Sequence, residues 1–447
     1  MSGQMKILPP DLDREENTMT KRTALTCGRA ACTVLMMIAA LPLSARTESV
    51  IYNFTGGNGG GNPEVGLTSY KSSLYSTLLN GGSAGAGEVY KLTPPKTGTT
   101  WNEKALVTFQ EDGNPGGSPN GRVIADQYGN LYGVTTYNDS IGTCCGLVYE
   151  LSPPPAGQTE WTSKIICQFP GGVDGLLPHG GLAMDQYGAL YGATMAGGTY
   201  NQGTIFRLYY NIRFGWILEV LYSFTGGDDG GTPNGDLLID SSNGNIFGTT
   251  PSGGYYNLGT VFSLSPPTGA ESTWAFATIH DFEGDATDAQ DGATPNGGLA
   301  GATGDLFGTT QTGGASEKCC GMVFELRQEI EGNPQYTLIN HHNFTGGQDG
   351  AYAKAGFFKD SSGNLWSTTE QGGSGTTGSD FGTIFELYPD RVEVGVWHYV
   401  VAYSFNGGPN DGAYPEGPVV ENGKGVFFGA TADGGQTGNG IVYKFKP

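Results

Sequence analysis

A chain of 447 residues has room for several small domains or for one large repeat architecture, so internal repetition is the first thing to test. Its formal charge of −21, from 43 acidic against 22 basic side chains, argues against a nucleic-acid partner, because phosphate backbones are held by clustered Lys and Arg. Gly (77) and Pro (24) approach low-complexity levels, yet aromatic residues recur at even intervals, which disordered chains do not maintain.

The first element in chain order is a targeting segment. Lys21, Arg22 and Arg29 precede the apolar run Ala30 to Ala45, which is shorter than the roughly 20 residues a membrane span needs and ends in Leu43-Ser44-Ala45. Residues 1–45 are therefore expected to be a secretory signal peptide removed after Ala45, with a retained anchor as the alternative; translation starts at Met1, Met5 or Met19. No later segment has the length and apolarity of a membrane span. The exported chain is expected to be secreted or periplasmic.

From residue 46 onward the chain repeats. A closing Phe recurs at Phe54, Phe109, Phe169, Phe224, Phe282, Phe344 and Phe405, at spacings of 55 to 62 residues. Each unit passes through four short runs, here called strands A to D. In the fourth copy they are GDLLID, NIFGTT, GTVFSL and WAFATIHDF, each β-branched or aromatic and bounded by Gly, Pro, Asn or Ser. Four short antiparallel strands repeated seven times predict an all-β fold, a seven-bladed β-propeller occupying residues 46–447.

Two aromatic rows accompany the repeat. Trp101, Trp161, Trp216, Trp274, Tyr336 and Trp397 lie eight residues before their closing Phe, an even offset that places both rings on one face of strand D. Strand B carries Tyr75, Tyr132, Tyr191, Phe247, Phe307, Trp366 and Phe428. Recurrence in nearly every copy is what packing between blades requires; a ring of sugar-stacking platforms is the alternative.

The two ends of the repeat region complement each other. The last copy supplies A (Glu416 to Asn422), B (Val426 to Thr431) and C (Gly440 to Phe445) but no D, while residues 47–54 form a D strand with no A, B or C before it. Pairing of 47–54 with 440–445 is predicted to close the ring. That closure removes two sheet edges and suits a monomer.

The pattern F-T-G-G-x-D-G, P-N-G-x-L, G-N-L-Y-G-T-T, G-T-V-F-x-L resembles the Gloeo/Verruco (GloVer) repeat of bacterial proteins, from about Ile51 to Phe445 and most clearly over Phe224 to Leu264. The resemblance implies an exported propeller-like protein, often tethered by a C-terminal sorting tail, with no established activity. This sequence ends in YKFKP without an apolar tail, which favours release, and copies one and seven drift from the pattern.

Strand alternation places the A-to-B and C-to-D turns on one face and the B-to-C and D-to-A loops on the other. The second face gathers Asp112, Asp174, Asp228, Asp229, Asp291, Asp349 and Asp411, each near Gly. Asp174, Asp228, Asp229, Asp291, Asp349 and Asp411 are the candidate ligand-binding residues, and Ca²⁺ is a candidate cation for them. Ordinary Asp-Gly turn chemistry is the competing reading. On the opposite face Asp126, Asp185, Asp240 and Asp360 fall in hairpins where an Asx-turn suffices.

Cys27 and Cys32 leave with the signal. A hairpin setting Leu151 against Trp161 brings Cys145 opposite Cys167, the expected disulfide. Cys144-Cys145 and Cys319-Cys320 occupy equivalent B-to-C positions, and His342 matches Cys167. A vicinal bridge, idle thiols and a soft-metal site from Cys319, Cys320 and His342 remain open for the second pair.

The five His residues show no repeated placement, and no nucleophile elbow or HExxH pair occurs, so no catalytic residues are assigned. The leading expectation is an extracellular binding or interaction module for polysaccharide or protein. A carbohydrate-active hydrolase or lyase with acidic residues at the channel mouth is the alternative, and a purely structural matrix role is a third reading.

Overall fold

The computed structural model describes residues 46–110, 116–137, 145–269, 273–284, 291–301, 304–314, 319–329, 335–373 and 380–447. Residues 1–45, the expected signal peptide, lie outside the described residues, as do Asp112 and Cys144.

The chain forms seven four-stranded antiparallel sheets, each made of consecutive strands A to D except the last. Blade 3 is the longest, with Leu176–Met184, Leu190–Ala196, Thr204–Asn211 and Gly215–Ser223. Blade 4 has Leu238–Ile239, Ile246–Thr250, Thr260–Ser265 and Ala275–Asp281. The seventh sheet joins the two ends of the repeat region: Thr47–Asn53 pairs antiparallel with Ile441–Lys446, from Thr47 opposite Lys446 to Asn53 opposite Ile441. Phe54 N extends that ladder by donating to Gly440 O at 3.1 Å.

The loop assignment is visible in backbone pairing. The D-to-A loop bridges the B-to-C loop of the blade it enters at Gly61 with Asn80, Gly117 with Tyr137, Gly231 with Ser252 and Ala351 with Gln371. In blades 5 and 7 the same contact extends to a two-residue ladder, Gly292–Ala293 with Thr312–Gly313 and Gly412–Ala413 with Asp433–Gly434. Both loop types therefore share one face, the loop face; the A-to-B and C-to-D turns make the hairpin face.

Seven hydrophobic cores lie between blades, one per interface. The closing Phe of each blade, 0–1% exposed, meets the strand C aromatic of the next, as in Phe224 with Phe262 at 5.2 Å and Phe54 with Tyr90 at 5.2 Å. The Trp eight residues earlier packs the other way, onto the strand B aromatic of the preceding blade. Trp101 meets Phe428 at 5.4 Å, Trp161 meets Tyr75 at 6.2 Å and Trp397 meets Phe307 at 4.7 Å.

This corrects the expectation that the two rings share a face. Every C–D pair carries a bulge at the same place, for example between Ile205 and Phe206, where Leu221 is the additional residue on strand D. One additional residue inverts the alternation beyond it, so the rings at the two ends of strand D point to opposite neighbours. The bulge thereby lets one strand bind both adjacent blades.

Glycine at the end of the second-strand motif has a packing reason. A Cβ at Gly248 would stand 2.6 Å from Phe262 Cζ, and one at Gly429 would stand 2.1 Å from Tyr443 Oη, so the strand C ring occupies the space a side chain would take.

Candidate functional site

Asp229, Asp291, Asp349 and Asp411 are internal fasteners. Asp229 Oδ2 accepts from Tyr222 Oη at 2.9 Å and Thr225 N at 2.8 Å, and Thr225 Oγ1 donates to its other oxygen. Asp349 receives His342 Nε2 at 3.1 Å and Thr345 N at 2.9 Å. Asp291 receives His280 Nε2 at 3.1 Å and Glu283 N at 3.0 Å. Asp411 receives Tyr403 Oη at 3.0 Å and Asn406 N at 2.8 Å. In each case the carboxylate ties the residue two before the closing Phe to the backbone just after it, which is turn chemistry with a second anchor.

Asp228 is exposed and Asp174, at the end of a short 3-10 turn (Gly172–Asp174), is half-buried. Among the described residues no three His, Cys, Asp or Glu side chains converge in a way that could hold a metal ion. The candidate carboxylates sit on one face but do not converge on one point.

The same geometry explains two histidines that look unplaced in the sequence. His280 and His342 occupy the position of Tyr222 and Tyr403 and make the same bond to the loop carboxylate. His342 also stacks on Tyr399 of the next blade at 3.7 Å. His341 is the bulged residue of blade 5; it binds Glu325 Oε2 at 2.7 Å, and Arg327 Nε binds the other oxygen at 2.8 Å. Burial alone would raise the Glu325 carboxyl, but His341 and Arg327 hold it below its ordinary value.

For the cysteines, the vicinal bridge is the open reading that holds, and the pairing of Cys145 with Cys167 is overturned. Cys319 and Cys320 are bonded to each other as a vicinal pair, which removes both as ligands for a soft metal. Cys167 is a free thiol, and Cys145 is disulfide-bonded, but not to Cys167. The bulge and a two-residue register difference are the cause: Leu151 faces Ser163, not Trp161, and Cys167 faces Val148. Burial, and then Asp174, push the Cys167 thiol up to about 11.

The convergent chemistry lies at the axis. The segment leading into strand A of each blade reads Pro-x-Gly-x, with Val65 in place of Gly in blade 1 and Ala353 and Ala355 in place of Pro and Gly in blade 6, and these seven segments ring a cavity of about 320 Å³ on the loop face. Its second positions are Glu64, Asn120, His179, Asn234, Asn296, Lys354 and Glu416; its fourth positions include Arg122 and Asp236 among small residues. The segments are held by their backbones: Thr77 Oγ1 donates to Gly121 O at 3.1 Å, Thr249 Oγ1 to Gly297 O at 3.2 Å and Thr368 Oγ1 to Gly417 O at 3.1 Å, each across a blade interface. The inward side chains are left to differ.

They divide the mouth into two halves. On one side Lys354 Nζ lies 2.7 Å from Glu370 Oε2 and 3.7 Å from Glu416 Oε2. Burial raises Glu416 to about 7 against the pull of Lys354, with Glu64 and Glu370 adding to the rise; burial likewise raises Glu64. Glu416 therefore keeps its proton to about 7 even with the Lys354 ammonium beside it.

On the other side Asn120 Nδ2 bonds His179 Nε2 at 2.7 Å, His179 Nδ1 meets Asn234 O at 3.2 Å, and Asn234 Nδ2 donates to Asn296 Oδ1. A carbonyl only accepts, so the proton is on Nδ1 and the ring is neutral, in keeping with burial lowering its pKa. Below, Arg122 Nε bonds Asp236 Oδ2 at 2.7 Å across blade 3, whose Gly181 gives them room: a Cβ there would be 2.8 Å from Asp236 Oδ1. Beyond that bridge a second chamber of about 470 Å³ continues along the axis, lined by Thr68, Leu237, Leu299, Phe357 and Val419 among others. Neither half is visible in the sequence as a motif; the signal was variation at one column of an otherwise repeated Pro-Asn-Gly.

The seams, the closure and the polar axis together define a seven-bladed β-propeller. The Gloeobacter/Verrucomicrobia repeat pattern matches residues 37–213 and 145–379, most of the chain. The protein belongs to that repeat family. No curated protein matches it by sequence. Solved structures similar to it include a Thermus thermophilus protein provisionally described as an oxidoreductase (glucose dehydrogenase), at 15% identity over 75% of this chain and 98% of that one, with a TM-score of 0.42. A Dyadobacter fermentans protein of unknown function is 11% identical over 90% and 99%, with a TM-score of 0.44. An ancestral GH74 enzyme is 11% identical over 89% of this chain and 48% of its own, with a TM-score of 0.49.

Proposed function

We propose that the protein is an exported binding module that takes a polar group of an extracellular polysaccharide or protein at its axial mouth on the loop face. The observation that carries this reading is the ring at the second position of Pro-x-Gly. The scaffold secures these segments through backbone carbonyls and needs no particular side chain there, yet the residues present are Glu, Asn, His, Asn, Asn, Lys and Glu, all directed to one cavity. Convergent polar side chains in a preformed concavity are the usual makings of a recognition site. The loop aspartates support the rim instead of the ligand.

A second reading, hydrolysis or elimination, is favoured by one feature: Glu416, raised to about 7 beside Glu64, is a carboxyl able to give and take a proton at neutral pH. A glycan array with the exported chain, followed by incubation with the best ligand, separates the two. Binding without cleaved product, weakened about 10-fold or more by Lys354→Ala, is the expected outcome. Product that forms with the parent chain and not with Glu416→Gln would replace the binding reading with the enzymatic one; binding untouched by both substitutions would remove the axial mouth as the site.

A further inference from the structure

The hairpin face holds an irregularity that the repeat does not explain. In blades 2, 3 and 6 the A-to-B hairpin Asp uses one oxygen for the turn and gives the other to a strand B aromatic that can donate. Asp126 Oδ2 accepts from Asn130 Nδ2 at 2.8 Å and Tyr132 Oη at 3.4 Å, Asp185 Oδ2 accepts from Tyr191 Oη at 3.0 Å, and Asp360 Oδ2 accepts from Trp366 Nε1 at 3.0 Å. Blades 5 and 7 have Phe307 and Phe428 in strand B, with Ala302 and Asn422 at the hairpin position that Asp126 occupies in blade 2.

Blade 4 alone combines the two: Asp240 with Phe247. Asp240 Oδ1 receives Ser242 N at 2.9 Å and Ser242 Oγ at 2.8 Å, but among the described residues Oδ2 has no donor, although Asp240 is only 4% exposed. A buried carboxylate oxygen without a partner is destabilising by about 1–3 kcal/mol or more, so its retention calls for a compensating role.

Asp240 lines a cleft of about 520 Å³ between blades 3 and 4. The same cleft contains Arg207, whose Nε is also buried without a partner among the described residues and whose Nη1 lies 3.6 Å from Glu219 Oε2. Tyr187, 85% exposed, and the half-buried Trp274 present aromatic surface along it.

We propose that this cleft is a second binding site, for a neutral oligosaccharide, in which a sugar hydroxyl donates to Asp240 Oδ2 and a sugar oxygen accepts from Arg207. The chemistry selects the class. The two orphaned atoms require a ligand that both donates and accepts, as hydroxyls do, and aromatic faces suit the C–H surface of a pyranose. Asp185, Asp240 and Glu219 outnumber Arg207, which disfavours uronate, sulfate and phosphate groups. The site lies on the face opposite the axial mouth and does not depend on that reading.

Titration calorimetry of the exported chain with gluco-, manno-, xylo- and galacturono-hexasaccharides tests it. One neutral hexamer is expected to bind with a Kd of about 1 mM or tighter and the galacturonate not at all. Asp240→Asn, which keeps an oxygen for Ser242, weakens it about 10-fold or more. Phe247→Tyr supplies the hydroxyl found in blade 3, so it is expected to raise the Tm by a few degrees and abolish binding together. Binding that survives both Asp240→Asn and Phe247→Tyr overturns the proposal, as does preference for the galacturonate, absence of any neutral binder, or a Tm rise with millimolar Ca²⁺ alone that Asp240→Asn removes.

Discussion

The seams between blades and the axis they enclose are built from the same repeat and obey opposite rules. At a seam, each position keeps its chemical type around the ring: the closing position is always Phe, and the facing strand C residue is Tyr or Phe in every blade. At the axis, one column runs through carboxylate, amide, imidazole and ammonium. The difference teaches that in a repeat protein uniform columns report packing, while a column that varies on a fixed backbone reports a surface left available for recognition.

Three experiments can break or sharpen that contrast. The largest effect is expected at the seam the two ends of the repeat region share: deletion of residues 46–54 strips blade 7 of its outer strand and takes Ile51 and Phe54 out of the core shared with blade 1, so the monomer peak in size-exclusion chromatography and the cooperative thermal transition should both be lost. A stable monomer would mean the ring does not depend on its closure.

Next, Phe224→Ala at a complete seam should cost about 3–5 kcal/mol in chemical denaturation at every pH, because the ring is 0% exposed and packed on Phe262 and Phe276.

The smallest effect belongs to the axis and appears only as pH dependence. Glu416 holds its proton to about 7 in the fold against an ordinary value of 4.5, so the stability it contributes is complete below pH 4.5 and lost as pH rises through about 7. Glu416→Gln should match the parent Tm near pH 5 and exceed it near pH 8.5. A Tm loss at both values would class Glu416 with the seams.

Much of the fold was legible because its signals are local and redundant. Seven Phe anchors and the four runs between them give blades and strands, and the missing D strand after Phe445 matches the one at Thr47 without any contact needing to be known. What escaped reading depends on register. A single bulged residue, Leu221 in blade 3 or His341 in blade 5, leaves no mark in composition but inverts every side chain beyond it, and it defeated both the shared-face reading of Trp216 and Phe224 and the pairing of Cys145 with Cys167.

The site was less legible still. Asp229, Asp291, Asp349 and Asp411 drew notice as loop carboxylates near Gly, yet their partners are residues two before the closing Phe, visible only once the strand has turned back on the loop. Glu64, Lys354 and Glu416 are more than 50 residues apart in sequence and meet solely because the ring closes. Asp240 with Phe247 could have been found by setting two columns of the repeat side by side.

Pairing Thr47–Asn53 with Ile441–Lys446 also sets an order of events. Thr47–Asn53 is synthesised before every other strand of the propeller and cannot pair until Ile441–Lys446 has been made, so six blades have to wait with an incomplete seventh at the end of the row. Assembly therefore finishes in one late step that commits all seven cores together, and a chain cut short near its end would carry an open arc instead of a slightly smaller wheel.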